Sequence, residues 1–134
     1  MPVLLVESNV DDAPVRRRLA RAVAIFMHRN GVPLAHSVVK FSHLDAEDVF
    51  SGPYPFASFE DGNRTAFAFV TCRIAKSRDD EFRRGLVAAI AAALVPPVAA
   101  ELLFVGFEAV NPTDYHRGSD VASEERRSTS VRER

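Results

Sequence analysis

Proline at position 2 carries the most unusual chemistry available to this chain. The sequence opens Met1-Pro2-Val3-Leu4-Leu5-Val6-Glu7-Ser8. A proline lacks the N–H that a sheet ladder uses, and only the first position of a strand tolerates it readily. A small second residue also invites removal of Met1, which would leave Pro2 as a free secondary amine at the head of an apolar strand. An α-amino group titrates near ~7.7–8.0. Burial and nearby cations both disfavour its charged form. Such an amine stands neutral near pH 7 and can serve as a general base. Taken alone, Met-Pro is more simply a tolerated start to the chain, and it is the rest of the sequence that singles it out.

Arg78 is the second residue of interest. It stands beside the start of a helix, where the dipole disfavours a cation. A residue placed against local preference points to another task, such as holding an anion together with the helix N–H groups. The alternative is a surface arginine paired with Asp79 or Glu81. The histidines at 28, 36, 43 and 116 show no metal-ligand spacing; His36 or His43 could line a pocket, and each is equally an ordinary surface residue. Cys72, inside an apolar strand, reads as a core residue. Arg16, Arg17, Arg18 and Arg21 read as a solvated helix face.

The elements that must position these groups follow from periodicity. Residues 3–6 are an apolar run suited to a strand buried on both faces. Asn9, Asp11 and Asp12, then Pro14, mark a helix start. Val15, Leu19, Ala22, Val23 and Phe26 form its stripe, and Asn30-Gly31 its end. A second strand is expected over 34–44. The stretch 45–63 is turn-rich but carries Phe50, Tyr54, Phe56 and Phe59, so it is expected to dock, as a lid or a subunit contact. The strongest strand signal is 64–74. Ser77 offers a cap for a second helix, with Asp79, Asp80 and Glu81 in its first turn. Phe82, Leu86, Ala89, Ile90 and Ala93 form its stripe, and Pro96-Pro97 its stop. The last strand is expected over 101–110, and Asn111-Pro112-Thr113-Asp114 is a turn.

This is strand–helix–strand twice over, a layout that hints at an internal duplication. The fold class expected is α+β, a two-layer arrangement in which two β-α-β units form one four-stranded sheet with both helices on one face. The second sheet face is then expected to be apolar and covered by other copies of the chain. Residues 1–117 are expected to form one domain, and 118–134, rich in Ser, Glu and Arg, a disordered tail.

Composition narrows the function classes. The 134 residues hold 17 basic and 18 acidic side chains, a net charge of −1, which argues for neither nucleic acid nor an anionic membrane. The longest apolar stretch, 86–103, is broken by Pro96, Pro97 and Glu101 and is too interrupted to span a bilayer. No signal peptide is visible at the start. The single cysteine excludes an intramolecular disulfide and a cysteine metal cluster, so a cytoplasmic setting is expected.

Several stretches together resemble the tautomerase superfamily, and within it the 5-carboxymethyl-2-hydroxymuconate isomerase family. They are Met1 to Ser8, Val32-Pro33-Leu34-Ala35, Ala66-Phe67-Ala68-Phe69-Val70 leading to Arg73-Ile74 and Ser77-Arg78, and Leu103-Phe104-Val105-Gly106-Phe107-Glu108 with Asn111-Pro112. The similarity runs from Pro2 to Pro112, through the order and spacing of short motifs. The resemblance implies a homotrimer and a cofactor-independent isomerase of aromatic catabolism, acting on a small enol or dienol carboxylate. It implies Pro2 as the catalytic base, and Arg78 and Lys40 as substrate-binding cations. Lys40 stands where that isomerase family carries an arginine; a lysine is a point charge and cannot grip a carboxylate bidentately. The 45–63 stretch is also longer than in that family. Two other readings accompany this one. A related dehalogenase or decarboxylase would need Glu108 or Asp114 to activate water. A non-catalytic oligomer would retain Met1 and so block the proline nitrogen.

Overall fold

The computed structural model describes residues 2–59, 65–114 and 116–119. In chain order its strands and α-helices are β1 (Val3–Ser8), α1 (Ala13–Arg29), β2 (Val38–His43), β3 (Phe50–Ser51), β4 (Tyr54–Pro55), β5 (Ala68–Ala75), α2 (Asp80–Leu94) and β6 (Leu103–Val110). The main sheet has the order β2-β1-β5-β6. Its strands are parallel within each strand–helix–strand unit and antiparallel where β1 meets β5. The expected α+β layout of two β-α-β units is therefore the one observed.

Register decides what each sheet face carries, because side chains alternate along a strand. The rows Val39-Leu4-Cys72-Phe107 and Phe41-Val6-Val70-Val105 face the helices. They pack with Leu19, Val23 and Met27 of α1 and Leu86, Ile90 and Leu94 of α2 into the main core. Fully burying each such side chain contributes about 1.5–3 kcal/mol. The opposite face carries Val38-Val3-Arg73-Glu108, Lys40-Leu5-Thr71-Gly106 and Ser42-Glu7-Phe69-Phe104. That face is mixed rather than apolar. Unbroken apolar runs imply burial on both sides, but across the four strands the second face also collects four charged residues.

Local sequence sets the helix ends. Gly31 adopts φ +87°, the left-handed region in which glycine is favoured, and the N–H of Val32 reaches back to Met27 O at 2.9 Å. The cap of α2 is Asp79 and not Ser77: its carboxylate accepts from the Phe82 N–H at 2.9 Å, three residues on, where a cap must reach. Beyond Leu94, Arg18 donates to Ala93 O at 2.7 Å and Pro96 O at 2.8 Å. One member of the arginine run thus serves the carbonyls at the end of α2, where a cation suits the dipole.

Strand ends depart from expectation where no partner is in reach. Leu34–His36 form a 3-10 turn, since β1 begins only at Val3 and Val38 is its partner. Residues before Ala68 leave the ladder because side chains take their hydrogen bonds. The Asn9 Oδ1 accepts from the Phe67 N–H at 3.0 Å, and Ser8 Oγ donates to Phe67 O. In the intervening stretch Phe56 is buried and joins Ala46 and Phe67 in a second cluster with Phe59 at its border. Phe50 and Tyr54 on the β3–β4 hairpin stay exposed. The expected docking therefore holds for two of the four rings. Residues 60–63 of that stretch, and the expected tail from 120 onward, lie outside the described residues.

Candidate active site

One end of the sheet, where β1 starts and β5 stops, holds a cavity of about 350 Å³. Pro2, Val32, His36, Ala75, Arg78 and Arg117 are among its lining residues. Pro2 is half-buried, and its carbonyl accepts from the Val38 N–H at 3.1 Å, which ties the head of β1 to β2. Antiparallel pairing of β1 with β5 delivers Arg78 to the same end, because Val3 pairs with Arg73 and the chain turns immediately after Ala75. Met1 lies outside the described residues.

Arg78 is held by neutral groups. Its Nη1 donates to Asn30 O at 3.3 Å, and its guanidinium carbon stands 4.5 Å from the centroid of the Phe82 ring. Asp79, a candidate ion-pair partner, instead caps the Phe82 N–H. That cap already sets a carboxylate on the start of α2, so the guanidinium rather than the helix N–H groups is the donor offered to an anion. Arg117 reaches the cavity from beyond β6, with Nη2 donating to Ala35 O at 3.0 Å. His36 stands beside it. No carboxylate lines the cavity among the described residues. The Arg78 guanidinium, with neutral partners and no carboxylate among the described lining residues, favours an anionic ligand.

The remaining candidates lie elsewhere. Lys40 is exposed on the open sheet face, beside Leu5, in a separate hollow with Glu7 and Ser42. Within one chain it does not line the Pro2 cavity. Glu108 is paired with Arg73 at 2.9 Å on that same open face. His43 lies at the far end of β2, between Asp11 at 3.1 Å and Asp45 at 2.7 Å. The hydrogen bond to Asp45 is the main reason its pKa is raised. Cys72 is fully buried, and that burial pushes its thiol up to about 12, which makes it an inert core side chain. Arg117 is the residue that sequence reasoning missed. It follows a turn and belongs to no periodic element, so no local signal marks it. Among the described residues no three His, Cys, Asp or Glu side chains gather as metal ligands, and no helix is long and apolar enough to cross a membrane.

No family model and no curated protein matches this sequence. Solved structures do match. The Q0 fused 4-OT, a symmetric trimer, is 18% identical over 87% of this chain and 91% of its own, with a TM-score of 0.66. FG41 malonate semialdehyde decarboxylase, solved with 3-bromopropiolate as inhibitor, is 19% identical over 87% of this chain and 88% of its own, with a TM-score of 0.66. Macrophage migration inhibitory factor of Toxoplasma gondii is 18% identical over 87% and 96%, with a TM-score of 0.63. The chain has the tautomerase-like fold. In that tautomerase-like fold, the end of the sheet where β1 starts is the end at which Pro2 and Arg78 meet.

Proposed function

We propose that this protein is a cofactor-independent tautomerase of the tautomerase superfamily, with Pro2, freed by removal of Met1, as its general base. The observation that carries the reading is the cavity shared by Pro2 and Arg78. The neutral proline nitrogen takes the proton of a 2-hydroxy group on an enol or dienol acid. The electron pair moves into the carbon framework, the C–O bond becomes a ketone, and the protonated proline returns the proton to a carbon two atoms away. Arg78, with Arg117 in reach of the same space, holds the substrate carboxylate and offsets the enolate charge. A substrate of the 5-carboxymethyl-2-hydroxymuconate type fits this chemistry, in a soluble cytoplasmic homotrimer. Lys40 would serve a neighbouring copy's cavity, since it lies on the face that other copies would cover.

The decarboxylase and dehalogenase reading is less well supported. It needs a carboxylate to activate water, and Glu108 and Asp114 are both absent from the cavity lining. The test is turnover of phenylenolpyruvate and of a 2-hydroxymuconate by the parent and by Pro2→Ala, beside an intact mass of the mature chain. The expected results are loss of Met1 and a fall in kcat/KM of about 10²–10⁴ for the variant. The parent rate should also fall on the acid side, as the amine takes up its proton at a pH below the ordinary α-amino range of ~7.7–8.0. A retained Met1, or unchanged turnover in Pro2→Ala, removes Pro2 from the mechanism.

A further inference from the structure

Arg78 lies at one end of a chain of aromatic contacts that spans both helices. Its guanidinium lies over the ring of Phe82, 4.5 Å from the centroid, and one N–H is taken by Asn30 O. Phe82 is buried and lies against Phe26 of α1, with ring centroids 5.1 Å apart and planes at 55°. The Asn30 side chain donates to Phe26 O at 2.8 Å, so the carbonyl that holds Arg78 belongs to a residue anchored one turn back on α1. Behind the rings stands Gly85, one turn on from Phe82. A Cβ there would meet Phe26 Cε2 at 2.8 Å and Cζ at 3.1 Å, closer than a side chain tolerates without the ring moving. Glycine is a poor residue for a helix interior. Its presence in α2 is explained by the space that Phe26 occupies.

We propose that Phe82 is the positioning residue of this site, and that Phe26 and Gly85 hold its ring in place. The ring covers one face of the guanidinium without neutralising it. A carboxylate in that position would cancel the charge meant for the ligand, whereas an aromatic face attracts the cation and leaves its net charge intact. One N–H is spent on Asn30, and a guanidinium has five. The remaining donors serve a ligand carboxylate in the cavity that Phe82 and Arg78 both line.

The inference rests on the proposed carboxylate-binding role of the cavity, and not on the proton chemistry of Pro2. Its test is a double-mutant cycle on Phe82→Leu and Arg78→Ala, read by calorimetric titration with cinnamate, an unreactive carboxylate. Leucine keeps an apolar side chain at the position and loses only the ring face. Phe82→Leu is expected to weaken cinnamate binding about three- to thirty-fold in the parent and less than about twofold in the Arg78→Ala background. Gly85→Ala, which displaces Phe26, is expected to weaken binding in the parent and again to have no further effect without Arg78. In turnover, Phe82→Leu should lower kcat/KM in the parent and cause no further loss in the Arg78→Ala background. Equal weakening in both backgrounds, no weakening in the parent, or no saturable cinnamate binding by the parent overturns the proposal. Unchanged turnover in Pro2→Ala would instead overturn the proposed reaction, while the cinnamate cycle would still judge Phe82.

Discussion

At the scale of single residues, the two that matter most act through what their neighbours lack. Pro2 has only half-burial and a positively lined cavity around it, and Arg78 has neutral partners in place of a counter-ion. In the proposed mechanism the first condition favours an unprotonated base and the second leaves the Arg78 charge for the acid's carboxylate. Cys72 illustrates the opposite case. It pairs with Leu4 in the middle of the sheet, has no exposed surface, and its thiol is pushed up to about 12 by burial alone. It should therefore resist alkylation in the native protein at pH 8 and react quickly in denaturant. Cys72→Ser should cost about 1–3 kcal/mol in denaturant unfolding, since a hydroxyl would be buried there among apolar side chains. Rapid native labelling would contradict the packing described. The identities of Pro2 and Arg78 as candidates were legible from type and position. The role of Phe82 was not, because its place in the apolar stripe of α2 accounts for it fully until the structure shows Arg78 over its ring.

At the scale of elements, periodicity located both helices and all four strands of the main sheet. It failed at strand ends, where the outcome depends on a partner's length. Residues 34–36 have strand-like composition, but no β1 residue lies opposite them. The ion-pair contacts between elements were likewise invisible, and His43 gives the clearest of them. It joins the loop before α1, through Asp11, to the turn after β2, through Asp45; Arg16 also reaches Asp11 at 3.5 Å, and Glu47 borders the same hollow. The folded protein raises the His43 pKa above its ordinary value of 6.5, first through Asp45. A raised folded pKa means stabilisation that is fully present below the unfolded value and lost as pH rises through the folded one. The melting-temperature gap between the parent and His43→Ala should therefore be widest near about pH 5–6, with the carboxylates still ionised, and close towards about pH 9. A gap that grows with pH would reverse this account of the contact.

For the whole molecule, the open sheet face is the feature left to explain. Phe69 and Phe104 stack there with centroids 4.8 Å apart, Phe104 remains 42% exposed, and Leu5 and Thr71 lie in the adjoining row. Among the charges on that face, Arg73 is paired with Glu108, whereas Lys40 lies on β2 and Glu7 on β1, in the same row as Phe69 and Phe104. The stacked rings of β5 and β6 are compatible with a contact between copies, with Arg73 and Glu108 already paired on the same face. If copies associate through it, a carboxylate at Phe104 would be buried without a partner in every such contact. Such a group costs several kcal/mol. Phe104→Glu should therefore sediment as a monomer at concentrations where the parent forms the proposed trimer, with its helices intact by circular dichroism, since that side chain lies outside the helix-facing core. The substrate KM should rise in the same variant if Lys40 serves a neighbour's cavity, and Lys40→Ala should raise it without changing the sedimentation. A Phe104→Glu protein that stays trimeric would place the contact on another surface. A monomer with unchanged KM would leave each cavity complete within its own chain.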